Sequence, residues 1–275
     1  MATIAPSTGG GRRLRVPFFS VFATLGLLAI LLVLLAPQIV VIGAAFTETR
    51  YMTFPPEGFT TAWFGRVLEY RPFLPALETS LRAAAGATLL SLLLGTMAAL
   101  AVARYRFPGR AFLNLFFLSP LVLPTIIIAF SIFEFMRLTE QAYTLRGIIL
   151  AHVVITFPYV FRSVLVSVQA VDPALEEAAA SLRANPWQVF ARVTLPAIRP
   201  GLLAGSIFAF IVSFDDLIVS LFLTGPRIKT LPIVVFGYTT DGLDPVIAAI
   251  STVLIVAASI LVLILEKTFG FSRLV

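Results

Sequence analysis

Cysteine is absent from the 275 residues, which excludes disulfides and thiolate metal sites alike. Histidine occurs once, at His152, so no second imidazole is available to share a metal with it. Charge is scarce as well: 12% of residues are charged, about half the roughly 25% of ordinary soluble domains. Without a solvated surface, a soluble globular fold of this length is excluded. Apolar residues fill the space, at 59% of the chain and a mean hydropathy of +1.00. Several apolar runs reach about 20 residues, enough to cross a hydrocarbon layer ~30 Å thick. The chain reads as an all-α protein that crosses a membrane several times, because lipid leaves backbone groups no partner outside a helix. The net charge of +6 is dispersed along the flanks of apolar runs, so it marks topology and not nucleic-acid binding.

About six spans are expected, at 16–46, 77–102, 111–136, 145–168, 202–223 and 246–265. They make a transmembrane domain over 16–268, with tails at 1–15 and 269–275. The first run is far longer than the 7–15 residues of a signal-peptide core, so it reads as an uncleaved helix. Pro37, Pro120, Pro124 and Pro158 each remove a backbone donor and are expected to bend their helices. With the N-terminus inside, inner segments and span ends carry twelve Lys or Arg against seven in the outer loops, which places both termini in the cytoplasm.

One segment, at about 169–200, breaks the apolar pattern: "EEAAASLRANPWQVFARVTLPAIRPG" is charged, alanine-rich and punctuated by proline. Asp172-Pro173 and Asn185-Pro186 each pair a capping residue with a first-turn proline, and Gln188 stands where a capping-box partner belongs. Two short helices are therefore expected, at 173–182 and 186–193, joined at 183–185, with Pro196 and Pro200 closing the segment. Leu175, Ala178, Ala179 and Leu182 share one face of the first, with Glu176, Glu177 and Arg183 at its edges. Such a face suits docking into a partner's groove; it equally suits a connector lying on the membrane.

The motif decides between these. The segment resembles the EAA loop of type I ABC importer permeases. Glu177, Ala178 and Ala179 match its opening, and Pro186, Trp187, Phe190, Val193, Leu195 and Pro196 match its later part. The resemblance implies a coupling helix seated in a cytoplasmic ATP-binding subunit, with Glu176, Glu177, Ala178, Ala179, Leu182, Arg183, Pro186, Phe190, Leu195 and Pro196 as the coupling residues. It also implies two copies of that subunit, a second and non-identical permease chain, and an extracytoplasmic solute-binding protein, all around a bacterial inner membrane. No G-x-x-x-x-G-K-[ST] loop occurs here, so ATP and its magnesium belong to the partner and this chain itself carries no cofactor. One departure stands out: the family's glycine falls on Arg183. A positive φ there would cost roughly 1 kcal/mol or more. The turn then either shifts to Asn185 or is kept for an Arg183 contact with an acid on the partner.

"LSPLVLPTIIIAF" (118–130), "FIVSFDDLIVSLFLTG" (210–225) and "KTLPIVVFGY" (229–238) resemble the spermidine/putrescine-type branch of these permeases. Permeases for opines, amino-acid derivatives, phosphonates and iron chelates carry similar sequences and remain alternatives. Within the fifth span, Asp215 and Asp216 point ~100° apart, so they cannot share a face. Asp216 falls with Ala209, Ser213 and Ser220; Asp215 falls with Val212, Val219 and Phe222 and needs a partner. Two readings stay open. In one, Asp216 together with Asp215 attracts or gates a cationic amine in a path that Ser213 and Phe214 also line, with Glu134 as a weaker candidate. Alternatively Ser213 and Asp216 cap a break in the helix. His152 is expected to be a hydrogen-bonded interior residue. An intramembrane aspartyl enzyme would need two carboxylates converging from different elements, which adjacent residues do not provide. A passive assembly scaffold is the other rival.

Overall fold

The computed structural model describes residues 17–241 and 244–269; the expected tail at 1–15, Val16, and the expected tail at 269–275 beyond Phe269 lie outside the described residues. The chain divides into two compact units, Met1–Gly65 with Leu243–Val275, and Arg66–Gly242. Helix follows helix throughout, and the one β-bridge among the described residues joins Gly225 to Ile228.

In the first unit, α1 (Pro17–Ala44) and α13 (Pro245–Phe269) pack together. From Phe22 to Gln38 the α1 side chains are exposed all round, as a lipid-facing helix requires. Pro37 lies inside α1, which runs unbroken through it. After α1 the chain folds back on itself around Thr47, whose hydroxyl meets those of Thr49 and Thr53, each at 2.9 Å. The Trp63 indole donates to the Thr47 carbonyl at 2.6 Å and closes this turn. Trp63 stands in α2 (Ala62–Glu69).

The second unit is built on three helices: α3 (Phe73–Arg104), α6 (Leu145–Ala170) and α10 (Arg199–Phe214). The buried face of α3 recurs every three or four residues and is made of small side chains: Ala76, Ser80, Ala84, Ala87, Ser91, Gly95. Small residues let helix backbones approach where no hydrophobic effect drives them together. A Cβ on Gly95 would meet Val160 Cγ1 at 2.9 Å, and one on Gly205 would meet the Val160 Cα at 3.1 Å. Val160 of α6 is thus wedged between glycines of α3 and α10. Pro158 lies two residues earlier, within an unbroken α6.

Two expected spans are not single helices. The run expected at 111–136 forms α4 (Arg110–Leu118), a 3-10 turn at Ser119–Leu121 and α5 (Thr125–Leu138), bent by 101°. Pro120 and Pro124 stand at that bend. The span expected at 202–223 begins earlier, with α10, and stops at Asp215 before resuming as α11 (Ile218–Leu223). Among the described residues, three helices are long and apolar enough to cross a membrane, or five if each bent pair counts as one span. A helix not expected, α12 (Leu231–Asp241), docks on α3, where Leu231 N–H donates to the buried Ser80 hydroxyl at 2.8 Å.

The two breaks divide the packing into two blocks. Val219 and Leu223 of α11 join Ile128, Ala129, Ile132 and Ile148 in one core; Ala209 of α10 joins Ala99, Phe161 and Val164 in the other, against which Phe117 of α4 packs. α3 and α6 run through both, and Val212 of α10 reaches back against the first.

Candidate functional site

Two places in this fold combine polar residues with an exposed surface. The first is the interrupted segment. Here α7 (Pro173–Ser181) starts on Asp172, whose carboxylate accepts from Ala174 N–H at 2.9 Å. α8 (Pro186–Val189) starts on the full reciprocal capping box of Asn185 and Gln188, at 2.8 and 2.9 Å. Beyond α8 the chain loosens into a π turn, Phe190–Thr194, then tightens into α9 (Leu195–Ala197). Pro196 therefore lies inside the helical path instead of ending it, and a 67° bend between Pro186–Ala197 and Arg199–Phe214 makes the turn into α10.

The end of α7 settles the turn. Arg183 has φ +64°, while Asn185 is extended at φ −72°, so the turn is not shifted to Asn185. Ala184 N–H bonds the Ala179 carbonyl at 3.2 Å and Arg183 N–H bonds that of Ala180 at 3.0 Å. This is a Schellman closure, whose left-handed position is normally glycine. Arg183 occupies it with its side chain making no hydrogen bond or ion pair among the described residues. Around it the surface is apolar and open: Leu182 is 85% exposed and Trp187 71%, with Leu175, Glu177 and Ala178 also exposed. Ala179 and Phe190 are half-buried and Pro186 is exposed. Glu176 differs from its neighbour by facing inward. Its Oε1 accepts from Arg104 Nη2 at 3.0 Å and from the Thr194 hydroxyl at 2.8 Å.

The second place is the break between α10 and α11, about 24 Å along α10 from Arg199 at 1.5 Å per residue. Asp216 is tied inward. Its Oδ2 accepts from Ser220 N–H at 2.8 Å, satisfying a first-turn donor of α11, and lies 3.5 Å from His152 Nε2. His152, 1% exposed, also meets the Ser213 hydroxyl at 2.7 Å and the Ser220 hydroxyl at 3.2 Å. One imidazole thereby holds both sides of the break against α6. Asp215 is the opposite case: exposed, and without a side-chain hydrogen bond among the described residues. Beside it Phe214 stacks on Phe210 with centroids 5.9 Å apart. Glu134, on α5, is held by Arg137 at 2.9 Å in an exposed i,i+3 pair and does not join the cluster.

Both places fall within residues 91–270, which match the model of the family described as the binding-protein-dependent transport system inner membrane component. The chain belongs to this family. It is a permease subunit of an ABC importer, with the type I fold, and it moves solute across a membrane that it crosses several times. It is not an enzyme; ATP hydrolysis belongs to separate ATP-binding subunits, alongside a second permease and a solute-binding protein. The permease is 33% identical over 234 residues to the putrescine transport system permease protein PotI of Escherichia coli K12, covering 82% of this chain and 83% of that one. It is 28% identical over 235 residues to the spermidine/putrescine transport system permease protein PotC of the same strain, covering 86% and 89%. Its fold matches the crystal structure of a bacterial ABC transporter involved in the import of the acidic polysaccharide alginate, with a TM-score of 0.70 at 18% identity over 97% of this chain and 100% of that one.

The permease also uses residues that its sequence does not single out. Arg104 reads only as a charge at the end of an apolar run, and Thr194 as an unremarkable residue before a proline. Their convergence on Glu176 spans 72 and 18 residues of chain, beyond the reach of any local pattern.

Proposed function

We propose that this permease imports a small polycationic amine, putrescine or spermidine, and that Asp215 is the acid that the solute meets in the membrane. The observation that carries this is Asp215 itself: an exposed carboxylate with no hydrogen bond among the described residues, at a break in an apolar span and beside a stacked aromatic pair. A carboxylate in a span costs about 2.5–3.5 kcal/mol on insertion scales, which favours a functional use over an accidental one. Aromatic faces beside an acid suit an ammonium group, through cation–π attraction together with charge. PotI and PotC, whose names specify putrescine and spermidine/putrescine, support the same class.

In this reading the interrupted segment faces the cytoplasm, as do both termini, in a bacterial inner membrane. α7 is the coupling helix, and its exposed Leu175, Ala178 and Leu182 seat in an ATP-binding subunit present in two copies. ATP and magnesium reside on those subunits. The second permease is a non-identical chain, and an extracytoplasmic binding protein delivers the solute. Asp216 serves as the cap of α11, so the two adjacent acids have different roles.

Uptake of labelled putrescine and spermidine tests the proposal, in cells with and without this chain and with its companion subunits present. Uptake that vanishes with the chain and is competed by other polyamines is the expected result. Unchanged uptake in a strain without another polyamine importer rejects the amine assignment and redirects attention to opines, amino-acid derivatives, phosphonates and chelated iron.

A further inference from the structure

Glu176 and Glu177 are neighbours on the same short helix, yet one is turned inward and the other to the surface. Glu177 is exposed with Leu182 and Trp187. Glu176 is about four-fifths buried, and so is its partner Arg104. One oxygen, Oε1, accepts from both Arg104 and Thr194, so a single carboxylate ties together three elements. Arg104 is the last residue of α3, which packs along α6 and α10 and runs through both cores. Thr194, 4% exposed, closes the π turn that leads through α9 into α10. Single π turns inside helices concentrate at functional places, and this one sets the Thr194 hydroxyl against the carboxylate. α7 otherwise packs on α8 and the π turn, which are themselves parts of the loop.

We propose that Glu176 is a positioning residue, the node of a strut Arg104–Glu176–Thr194 that makes α7 move as one body with α3 and the start of α10. The proposal rests on the reading of α7 as the contact for the ATP-binding subunits. Under it, Glu177 and the apolar tip receive the push and Glu176 delivers it to the transmembrane core. Neutralising Arg104 leaves α7 able to follow its partner while α3 stays behind. Hydrolysis then continues without transport.

The natural absence of cysteine allows a direct test in the complete transporter. Ala180→Cys and Tyr105→Cys, both at exposed positions outside the named coupling residues, take spin labels on α7 and just past the end of α3. Their separation is measured by pulsed electron resonance with and without ATP, beside putrescine uptake and ATP hydrolysis in proteoliposomes. With the strut intact the separation holds within about 2 Å, the scale of an ordinary helix shift. With Arg104→Gln it shifts further or broadens, and uptake falls about tenfold while hydrolysis falls less than about twofold, the scale of one charge-assisted hydrogen bond. Arg104→Glu with Glu176→Arg re-forms the pair and restores both separation and uptake, which distinguishes a lost strut from a misfolded variant. A separation that changes with ATP in the native transporter overturns the proposal. So does an Arg104→Gln separation equal to the native one, or failure of the exchanged pair to restore it. Whether α7 is the ATP-binding contact is read separately, from retention of those subunits by a Leu182→Asp transporter. The amine assignment is read from uptake by the unmodified one.

Discussion

Replacing Arg183 with glycine should strengthen the loop that carries the coupling helix. In the native chain Arg183 holds φ +64°, a conformation that places an L-residue's Cβ against the neighbouring carbonyl and costs roughly 1–2 kcal/mol. Glycine removes that cost, but it also gains freedom in the open loop, which returns about 0.4–1 kcal/mol to the opposite side. The net expectation is a stabilisation of about 0.5–1 kcal/mol, a roughly two- to fivefold lower open fraction at 1.4 kcal/mol per decade. The reporter is the Ala184 amide, which closes the Schellman turn on the Ala179 carbonyl. Hydrogen exchange followed by mass spectrometry on the 173–190 region should show that amide two- to fivefold better protected in Arg183→Gly than in Arg183→Ala. The alanine variant loses the same long side chain but keeps the left-handed strain, so it isolates the backbone effect. Equal protection in the two, or greater protection in alanine, refutes the argument that Arg183 is strained.

Three further outcomes are expected from the geometry. Gly205→Val sets a side chain against the Val160 backbone, where even a Cβ would sit at 3.1 Å, and should separate α10 from α6. Overpacking of this kind costs about 1–3 kcal/mol, visible as a lower melting temperature of the purified permease, whereas Gly65→Ala, in open space within α2, should not lower it. Asp215→Asn should slow putrescine uptake at least about tenfold with assembly intact, since it removes the charge offered to the amine. Asp216→Asn, whose amide oxygen still accepts from Ser220 N–H, should act mainly on stability; equal loss of uptake in both variants would contradict the division of roles.

Much of this was legible in the sequence because the signals are local. Asp172-Pro173 and Asn185-Pro186 with Gln188 marked both short helices to within a residue at their starts, since a cap and a first-turn proline act within four residues. Hydropathy found the apolar runs, yet it carries no direction. The 111–136 run is apolar on both sides of Val122–Pro124, so hydropathy alone reads it as straight; Pro120 and Pro124 marked the bend but not its size of 101°. For the same reason 202–223 read as one span, and only the capping alternative for Ser213 and Asp216 anticipated its break. The helix α12 was hidden because eleven residues are too few to stand out as a span. Contacts over long stretches of chain, His152 to Ser213 and Arg104 to Glu176, leave no periodic trace. The positive φ at Arg183 was posed as a question by a family pattern; the backbone places it at that residue and not at Asn185.

The break at Asp215 also has a polarity. A helix ends with unpaired carbonyls and begins with unpaired amides, equivalent to about half a negative and half a positive charge. At this break α10 presents its carbonyl end and α11 its amide end. Asp216 covers the amide end through Ser220 and so cancels the positive pole. Among the described residues no side-chain donor covers the carbonyl pole, and it is there that Asp215 adds its own charge. The interruption is therefore electrically one-sided: a place of negative potential made as much by the peptide backbone as by a side chain. An asparagine at position 215 would weaken that field without abolishing it, and a passing cation would still find the helix end.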